Sequence, residues 1–215
     1  MIWFTSDQHF CHANILKYEA ETRPFASIQE MNETLIQRWN EKVAPEDTVY
    51  VLGDLSMGEV NVAIEYIKRL NGKIILIRGN HDTPKRIEAY KAIGIEVHDI
   101  FYLPYKGRFF ILCHFPIASE EFMRMVVQDN SEVVNLYGHV HHNAPKGYVN
   151  GTYHVGADTN DLTPISIEQV WKECWTDKQM KIPEVKAYHD THEKYWNMNL
   201  DILEANTNYN VNLDN

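Results

Sequence analysis

The stretch Lys73-Ile-Ile-Leu-Ile-Arg-Gly-Asn-His-Asp-Thr-Pro84 (KIILIRGNHDTP) decides the fold of this chain. Its first five residues form a short apolar run, which is typical of a buried strand. Polar residues follow at once, and Thr83-Pro84 has the pattern of an N-cap before a proline at the first helical position. A buried strand that ends in polar side chains and leads into a helix indicates an α/β sheet. In such sheets, ligands gather beyond the carboxyl ends of the strands.

Four other predicted strands end in the same way, with residue types that bind ligands. They are 1–6 before Asp7-x-His9, 48–52 before Gly53-Asp54, 108–113 before His114, and 133–137 before Gly138-His139-x-His141. If their carboxyl ends meet, these side chains converge on one place in the fold. The candidate ligands are Asp7, His9, Asp54, Asn80, His114, His139 and His141.

The order of predicted elements indicates the fold class. Strands alternate with helices at 28–43, 60–70 and from 84 to about 94, whereas the second half is richer in strands. That half is predicted to hold a hairpin over 101–113, a helix at 119–128, a hairpin around Asn150-Gly151 and a final strand at 165–171. We expect an α/β fold, a four-layer αββα sandwich in which two mixed β-sheets are flanked by helices.

Residues 176–215 differ in composition from the predicted domain at 1–175. No glycine follows Gly156, and the last residues are rich in asparagine. We predict a helical tail with a frayed end, which packs either on the body of the domain or on a second copy in a homo-oligomer.

The seven candidate ligands fit two metal ions better than one. They offer nitrogen and oxygen atoms and no thiolate, which suits manganese, iron, zinc or nickel. A single catalytic ion needs about four protein ligands or fewer. Two ions a few ångströms apart need a bridging carboxylate, and such pairs suit in-line displacement at phosphorus. Asp54 is the natural bridge because it is the lone carboxylate at its strand end.

The ordered set DxH, GD, GNHD, H and GHxH resembles the calcineurin-like metallophosphoesterases, over roughly residues 1–171. The opening Phe4–Ile15 (FTSDQHFCHANI) is similar to the small single-domain members found in bacteria and their phages. The resemblance implies two divalent ions, with manganese favoured. One would be held by Asp7, His9, Asp54 and His141, and the other by Asp54, Asn80, His114 and His139.

The resemblance also implies a mechanism, in which a metal-bridging hydroxide attacks phosphorus and His81 protonates the leaving oxygen or stabilises the transition state. Asp82 is a candidate to orient His81. His12, Asn14 and Arg23 are candidate substrate contacts, although loop capping explains the first two as well and a surface ion pair explains Arg23. Asp158 and Asn160 are candidates to support the metal site from behind.

One departure from the family pattern narrows the expected substrates. Protein Ser/Thr phosphatases carry GDxVDRG, whereas this chain has Gly53-Asp54-Leu-Ser-Met-Gly58, without the acidic residue and the arginine. This departure argues against phosphoprotein phosphatase activity. From the resemblance to the small single-domain members, we expect a phosphodiesterase acting on small nucleotide-like or cyclic-nucleotide substrates. The alternatives, in order, are a phosphomonoesterase, a nuclease and a non-catalytic scaffold.

Composition limits the setting in which this chemistry takes place. A net charge of -10 disfavours an extended nucleic-acid surface, because such surfaces neutralise phosphates with lysine and arginine. No apolar run is long enough for a membrane helix. Three cysteines with no metal-site spacing are expected to be free thiols, which favours the cytoplasm.

Overall fold

Two mixed five-stranded sheets form the centre of the protein, seen in a computed structural model that describes residues 1–117, 133–149 and 151–175. The first sheet has the order β10-β1-β2-β3-β4, parallel except for β10; its strands are β1 (Ile2–Thr5), β2 (Thr48–Val51), β3 (Lys73–Ile77), β4 (Glu96–His98) and β10 (Ile165–Ser166). The second has the order β5-β6-β7-β9-β8, with antiparallel outer pairs; its strands are β5 (Phe101–Tyr105), β6 (Arg108–Leu112), β7 (Val133–Tyr137), β8 (Tyr148–Val149) and β9 (Thr152–His154).

Helices flank the sheets, as the sandwich prediction requires. They are α1 (Ile15–Tyr18), α2 (Ile28–Lys42), α3 (Val60–Ile67), α4 (Pro84–Ala92) and α5 (Ile167–Trp175), with short 3₁₀ turns at His141–Asn143 and Ala157–Thr159. Trp39 of α2 and Ile64 of α3 lie in one apolar cluster with Val49 and Leu76 of the first sheet. The helices therefore bury one face of this sheet.

The other face of the first sheet packs against the second sheet. Phe4 and Leu52 lie in one buried cluster with Phe110 and Leu136, and the ring centroids of Phe4 and Phe110 are 5.9 Å apart. Each fully buried side chain of this size contributes about 1.5–3 kcal/mol relative to an exposed one. This shared core fixes the two sheets face to face, which confirms the predicted sandwich of two mixed sheets.

Helix α2 begins where the sequence predicts, at a capping box. The Ser27 hydroxyl accepts a hydrogen bond from the backbone N–H of Glu30 at 3.1 Å, so it satisfies one orphan donor of the first turn. The Glu30 carboxylate accepts from the N–H of Ala26 at 2.9 Å, one residue before the position that a standard box uses. The cap fixes the entry of the chain into the helix.

The structure differs from the sequence prediction at three described places, one of which is the short helix α1, which was not predicted. The strand predicted over 165–171 is wrong beyond its first two residues, because Ile167, Val170 and Cys174 recur at helical spacing and bury one face of α5 in the core between the sheets. Strand β4 was not predicted, since it has only three residues and its place is fixed by pairing with β3. The helix predicted at 119–128 and the tail at 176–215 lie outside the described residues.

Backbone bonds join the carboxyl ends of the two sheets. Ser6, just after β1, pairs with Gly156, just after β9, and the N–H of Ala157 donates to the Ser6 carbonyl at 3.0 Å. Within the first sheet, the N–H of Asp7 donates to the Gly53 carbonyl at 3.0 Å and ties the ends of β1 and β2 together. The strand ends of both sheets therefore form one edge, where the polar residues of the sequence motifs meet.

Candidate metal centre

Asp54, at the end of β2, lies at the middle of the converging side chains. Its Oδ2 atom lies 3.5 Å from His114 Nε2 and 3.8 Å from His9 Nε2. Ligands of one transition ion lie about 2.0–2.2 Å from it, so two of them are at most about 4.4 Å apart. The separations around Asp54 fit ligands that share ions, and they place Asp54 between two groups of side chains.

One group lies on the side of β3 and β6. Asn80 Oδ1 lies 2.9 Å from His114 Nε2 and 3.0 Å from His139 Nδ1. Together with Asp54 these atoms form a compact set of nitrogen and oxygen donors, which suits a divalent transition ion. The structure thus brings together the second predicted ligand group.

The other group lies around the end of β1. Ligand atoms of Asp7, His9 and His141 all lie within 4.8 Å of one another, and so do those of Asp7, Asp54 and His114. Asp7 Oδ1 and His9 Nε2 are buried and have no hydrogen-bond partner. A buried carboxylate oxygen without a partner is costly unless a cation compensates it. These residues therefore fit a divalent cation, and the structure brings together all seven candidate ligands.

The backbone at the centre adopts an uncommon conformation. Left-handed φ angles between 50° and 70° occur at five of the candidate ligands, namely Asp7, His9, Asp54, His139 and His141. Such angles are uncommon outside glycine and cost about 1–3 kcal/mol each. Strain of this kind concentrates at functional sites, where surrounding structure over-determines it. Sequence patterns do not reveal this feature.

At two motif positions the backbone approaches a candidate ligand so closely that only glycine fits. A Cβ atom at Gly79 would lie 2.3 Å from Asp54 Oδ1, and one at Gly138 would lie 2.5 Å from Asp7 Oδ2. Neither position tolerates a side chain without displacing a candidate ligand. Glycine at both positions therefore lets the backbone approach the site closely.

Burial and charge set the protonation of the imidazoles in the absence of metal. Burial lowers the pKa of His9 to about 3 and that of His139 to about 4, so both rings present neutral nitrogens for ligation. Burial also opposes protonation of His114, but the charge of Asp54 outweighs it and raises the pKa of His114 to about 9. Asp54 itself is buried, yet the charge of His114 and its hydrogen bond to the carboxylate hold the pKa of the Asp54 carboxyl below its usual range.

Two candidate ligand histidines are oriented through their second ring nitrogen. His114 Nδ1 lies 2.7 Å from the Leu52 carbonyl, so it donates there and turns Nε2 towards Asn80 and Asp54. His141 Nδ1 lies 2.7 Å from Asp158 Oδ2, and its Nε2 lies 3.9 Å from Asp7 Oδ1. Carboxylate and carbonyl partners of this kind fix the tautomer of metal-binding histidines.

His81 lies at the open side of the centre. Its side chain is 43% exposed, and Nε2 lies 3.9 Å from Asp54 Oδ2. The prediction that Asp82 orients His81 is wrong, because no described contact joins the two side chains. Asp82 Oδ2 instead accepts hydrogen bonds from the N–H of Asp54 at 2.8 Å and from the N–H of Gly79 at 2.9 Å. Asp82 therefore ties the ends of β2 and β3 together beneath the centre.

The candidate substrate contacts lie in different settings. Arg23 is fully buried and all its described contacts are internal, so the expectations of a substrate contact and of a surface ion pair are both wrong. His12 is partly buried, with its ring centroid 5.1 Å from that of His9. Asn14 is exposed and its side chain makes no helix cap, which leaves it available to solvent.

Fold and site together define a class: a two-sheet α/β sandwich with an Asp/His/Asn cluster at the carboxyl edge of both sheets. The chain matches the calcineurin-like phosphoesterase superfamily domain over residues 1–155. It belongs to this superfamily, whose members generally use divalent metals. This membership supports an activity as a phosphoric ester hydrolase.

Two relatives and one solved structure match most of the length of this chain. An uncharacterized protein of Methanocaldococcus jannaschii is 34% identical over 176 residues, covering 80% of this chain and 89% of that protein. Gene 66 protein of Mycobacterium phage D29 is 29% identical over 188 residues, covering 76% and 92%. The solved structure of a protein of unknown function from Aquifex aeolicus is 29% identical, with a TM-score of 0.65 and coverage of 80% and 98%. Among the described residues, no helix is long and apolar enough to cross a membrane.

Proposed function

We propose that the protein is a dinuclear metal-dependent phosphodiesterase that hydrolyses small, nucleotide-like or cyclic-nucleotide diesters. The observation that carries this proposal is the position of Asp54 Oδ2, which has imidazole nitrogens of His9 and His114 at 3.8 and 3.5 Å on its two sides. A single carboxylate between two ligand groups is the arrangement that a pair of ions needs.

The distances support the two groups of ligands that the family resemblance implies. Asp7, His9, Asp54 and His141 would hold one ion, and Asp54, Asn80, His114 and His139 would hold the other. Two divalent ions, with manganese favoured over iron, zinc or nickel, would neutralise phosphate oxygens and lower the pKa of bound water. The negative charge of Asp7 and Asp54 would then be compensated, so the acidic balance of the chain does not exclude an anionic substrate.

His81 is the proposed catalytic residue of the chain. It is the half-exposed imidazole at the open side of the centre, and its Nε2 lies close to Asp54 without belonging to either ligand group. From this position the ring can donate a proton to the oxygen that leaves phosphorus, as a general acid does. His12 and Asn14, on the loop after β1, are the proposed contacts to the rest of the substrate.

The arginines around the centre support a diester over a monoester. A phosphomonoester carries about one more negative charge than a diester, so its sites commonly add cationic side chains. Here Arg23 is buried on internal acceptors, Arg86 donates to Ser56 and to backbone carbonyls, and Arg78 pairs with Asp99 at 2.8 Å. Among the described residues, these guanidinium groups are already engaged, which favours the monoanionic substrate.

A hydrolysis panel tests the proposal. The full-length protein, loaded with manganese, is assayed on a generic aryl diester, a generic aryl monoester, 2′,3′- and 3′,5′-cyclic nucleotides and single-stranded DNA. We expect the highest kcat/KM on a small diester. A strong preference for the monoester would make the protein a phosphomonoesterase, and cleavage of DNA above all others would make it a nuclease. Binding of metal without turnover on any ester would favour a non-catalytic scaffold.

The cellular setting forms a second part of the proposal. All three cysteines, Cys11, Cys113 and Cys174, are free thiols in the structure. Free thiols persist in reducing compartments, and the cytoplasm is the compartment we propose.

A further inference from the structure

We propose that the buried Arg23–Asp158 pair is a positioning device for one of the two ion sites. In this role it would orient His141 and hold the backbone of Asp7, and it would leave the site formed by Asn80, His114 and His139 unaffected. The inference rests on the proposed two-ion centre.

Asp158 is fully used as an acceptor. Its Oδ1 accepts from Arg23 Nε at 2.8 Å and from the Thr22 hydroxyl at 2.7 Å. Its Oδ2 accepts from Arg23 Nη2 at 3.0 Å and faces His141 Nδ1 at 2.7 Å. The His141 ring is thus held with Nδ1 as donor and with Nε2 towards Asp7, which is the tautomer that a metal ligand needs.

Arg23 connects this carboxylate to the first ligand loop. Its Nη2 also donates to the Asp7 carbonyl at 2.6 Å, and its Nη1 donates to the Gln8 carbonyl at 2.9 Å. Asp7 has a left-handed φ of 56°, so its backbone needs support from outside the strand. The planar guanidinium of Arg23 therefore holds both the backbone of Asp7 and the carboxylate that orients His141. These two candidate ligands follow strands of different sheets.

A purely structural ion pair does not explain this arrangement well. Side chains of Arg23 and Asp158 are both 0% exposed, and a buried ion pair is often no more stabilising than well-packed apolar residues. Every further hydrogen bond that the two side chains make in the described structure, apart from those with Thr22 and Met31, reaches a ligand residue or its immediate neighbour. By contrast, His114 is oriented by the Leu52 carbonyl. The effect of losing the pair should therefore be confined to one ion.

Asp158→Asn in the full-length protein tests the inference by calorimetric titration of manganese into metal-free protein. Asparagine keeps the volume but offers one acceptor oxygen instead of two and no charge. We expect one of the two binding steps to weaken by about 10–100-fold, the usual effect of losing such a partner, and the other to stay within about threefold of wild type. Arg23→Lys, which keeps the charge and loses the planar fork, is expected to weaken the same step.

Asp47→Asn is the matched control, because Asp47 is also a buried carboxylate with several donors. It accepts from the N-terminal ammonium, from Trp3 Nε1 at 2.8 Å and from the Ala44 N–H at 3.0 Å, and none of these is a candidate ligand. We expect it to lower the free energy of unfolding and to leave both binding steps unchanged. Thr22→Val gives a milder test if the charge variants do not fold, since it removes one bond to Asp158 and should weaken the same step by a few-fold.

Two outcomes would overturn the inference: a titration of the folded variants that matches wild type, or an equal loss in both steps. Either result would leave Arg23–Asp158 as a structural ion pair and would not affect the proposed function. Conversely, if wild type shows two binding steps but hydrolyses no ester, the proposed function fails, and the selective loss in Asp158→Asn still supports the positioning role.

Discussion

Gly79→Ala is the substitution that probes the centre with the smallest chemical change. Gly79 lies between β3 and the candidate ligand Asn80, and its φ is not among the left-handed angles, so alanine introduces no backbone strain there. The added Cβ would lie 2.3 Å from Asp54 Oδ1 and 2.7 Å from the Asp54 backbone nitrogen. The three atoms nearest to the added Cβ all belong to Asp54, so the substitution acts first on Asp54.

The size of the effect follows from the contacts of Asp54. To reach a tolerable 3.0 Å, Oδ1 must move by about 0.7 Å, but it accepts from the His81 N–H at 2.8 Å, and the Asp54 N–H is held by Asp82 at 2.8 Å. Overpacking of this kind costs about 1–3 kcal/mol of stability. Misplacement of a reacting group by about 1 Å costs on the order of 100-fold in rate.

The assay measures three quantities on Gly79→Ala and on Gly94→Ala: kcat/KM on an aryl diester, metal content and the free energy of unfolding in urea. Gly94 has a φ of +89° and open space around its Cβ position, so alanine there costs about 1–2 kcal/mol of strain and touches nothing at the centre. We expect comparable losses of stability in both variants. Only Gly79→Ala should lose activity by about 100-fold and release metal.

Wild-type turnover and metal content in a folded Gly79→Ala variant would refute this reasoning, because Asp54 would then not need its present position. Equal loss of activity in both glycine variants would also contradict it. That result would mean that global stability, and not the placement of Asp54, limits the reaction.

Three further predictions test single residues. His81→Ala should retain both ions by elemental analysis and lose most of its turnover; loss of metal would instead make His81 a ligand. Asp54→Asn should weaken both ions in a titration, and loss of only one would show that Asp54 is not the bridge. Burial lowers the pKa of His154 from the ordinary 6.5 to about 4 in the folded state. Between these two pH values the unfolded chain binds one more proton than the folded chain, so the free energy of unfolding falls as the pH drops from 6.5 towards 4. Between pH 7 and pH 5, the free energy of unfolding should fall by about 1–2 kcal/mol more in wild type than in His154→Gln. If the difference between the two proteins does not change with pH, the ring is not buried in its unprotonated form.

Local patterns predict the elements that build the centre. Apolar runs that end in polar motifs indicate the strands, and the rule that ligands gather at carboxyl strand ends places Asp7, Asp54 and His139 at one edge. Amphipathic spacing after Ser27 predicts α2, with its start at residue 28 and its end within one residue. These features depend on residues that are neighbours in sequence, so local patterns are sufficient to predict them.

Features that depend on distant parts of the chain were not predictable. The contact of Arg23 with Asp158 spans 135 positions, and no local pattern signals it. The residues at 165–171 combine apolar alternation with helical spacing, and pairing with Trp3 and Phe4 decides that only Ile165 and Ser166 join the sheet. Left-handed backbone at the candidate ligands likewise results from tertiary constraint.

The most direct test of the central claim is the manganese stoichiometry of full-length protein purified without chelator, measured by elemental analysis beside hydrolysis of an aryl diester. We predict close to two ions per chain and activity that disappears on chelation and returns with manganese. A chain that holds no ion and takes up none on addition would contradict the account.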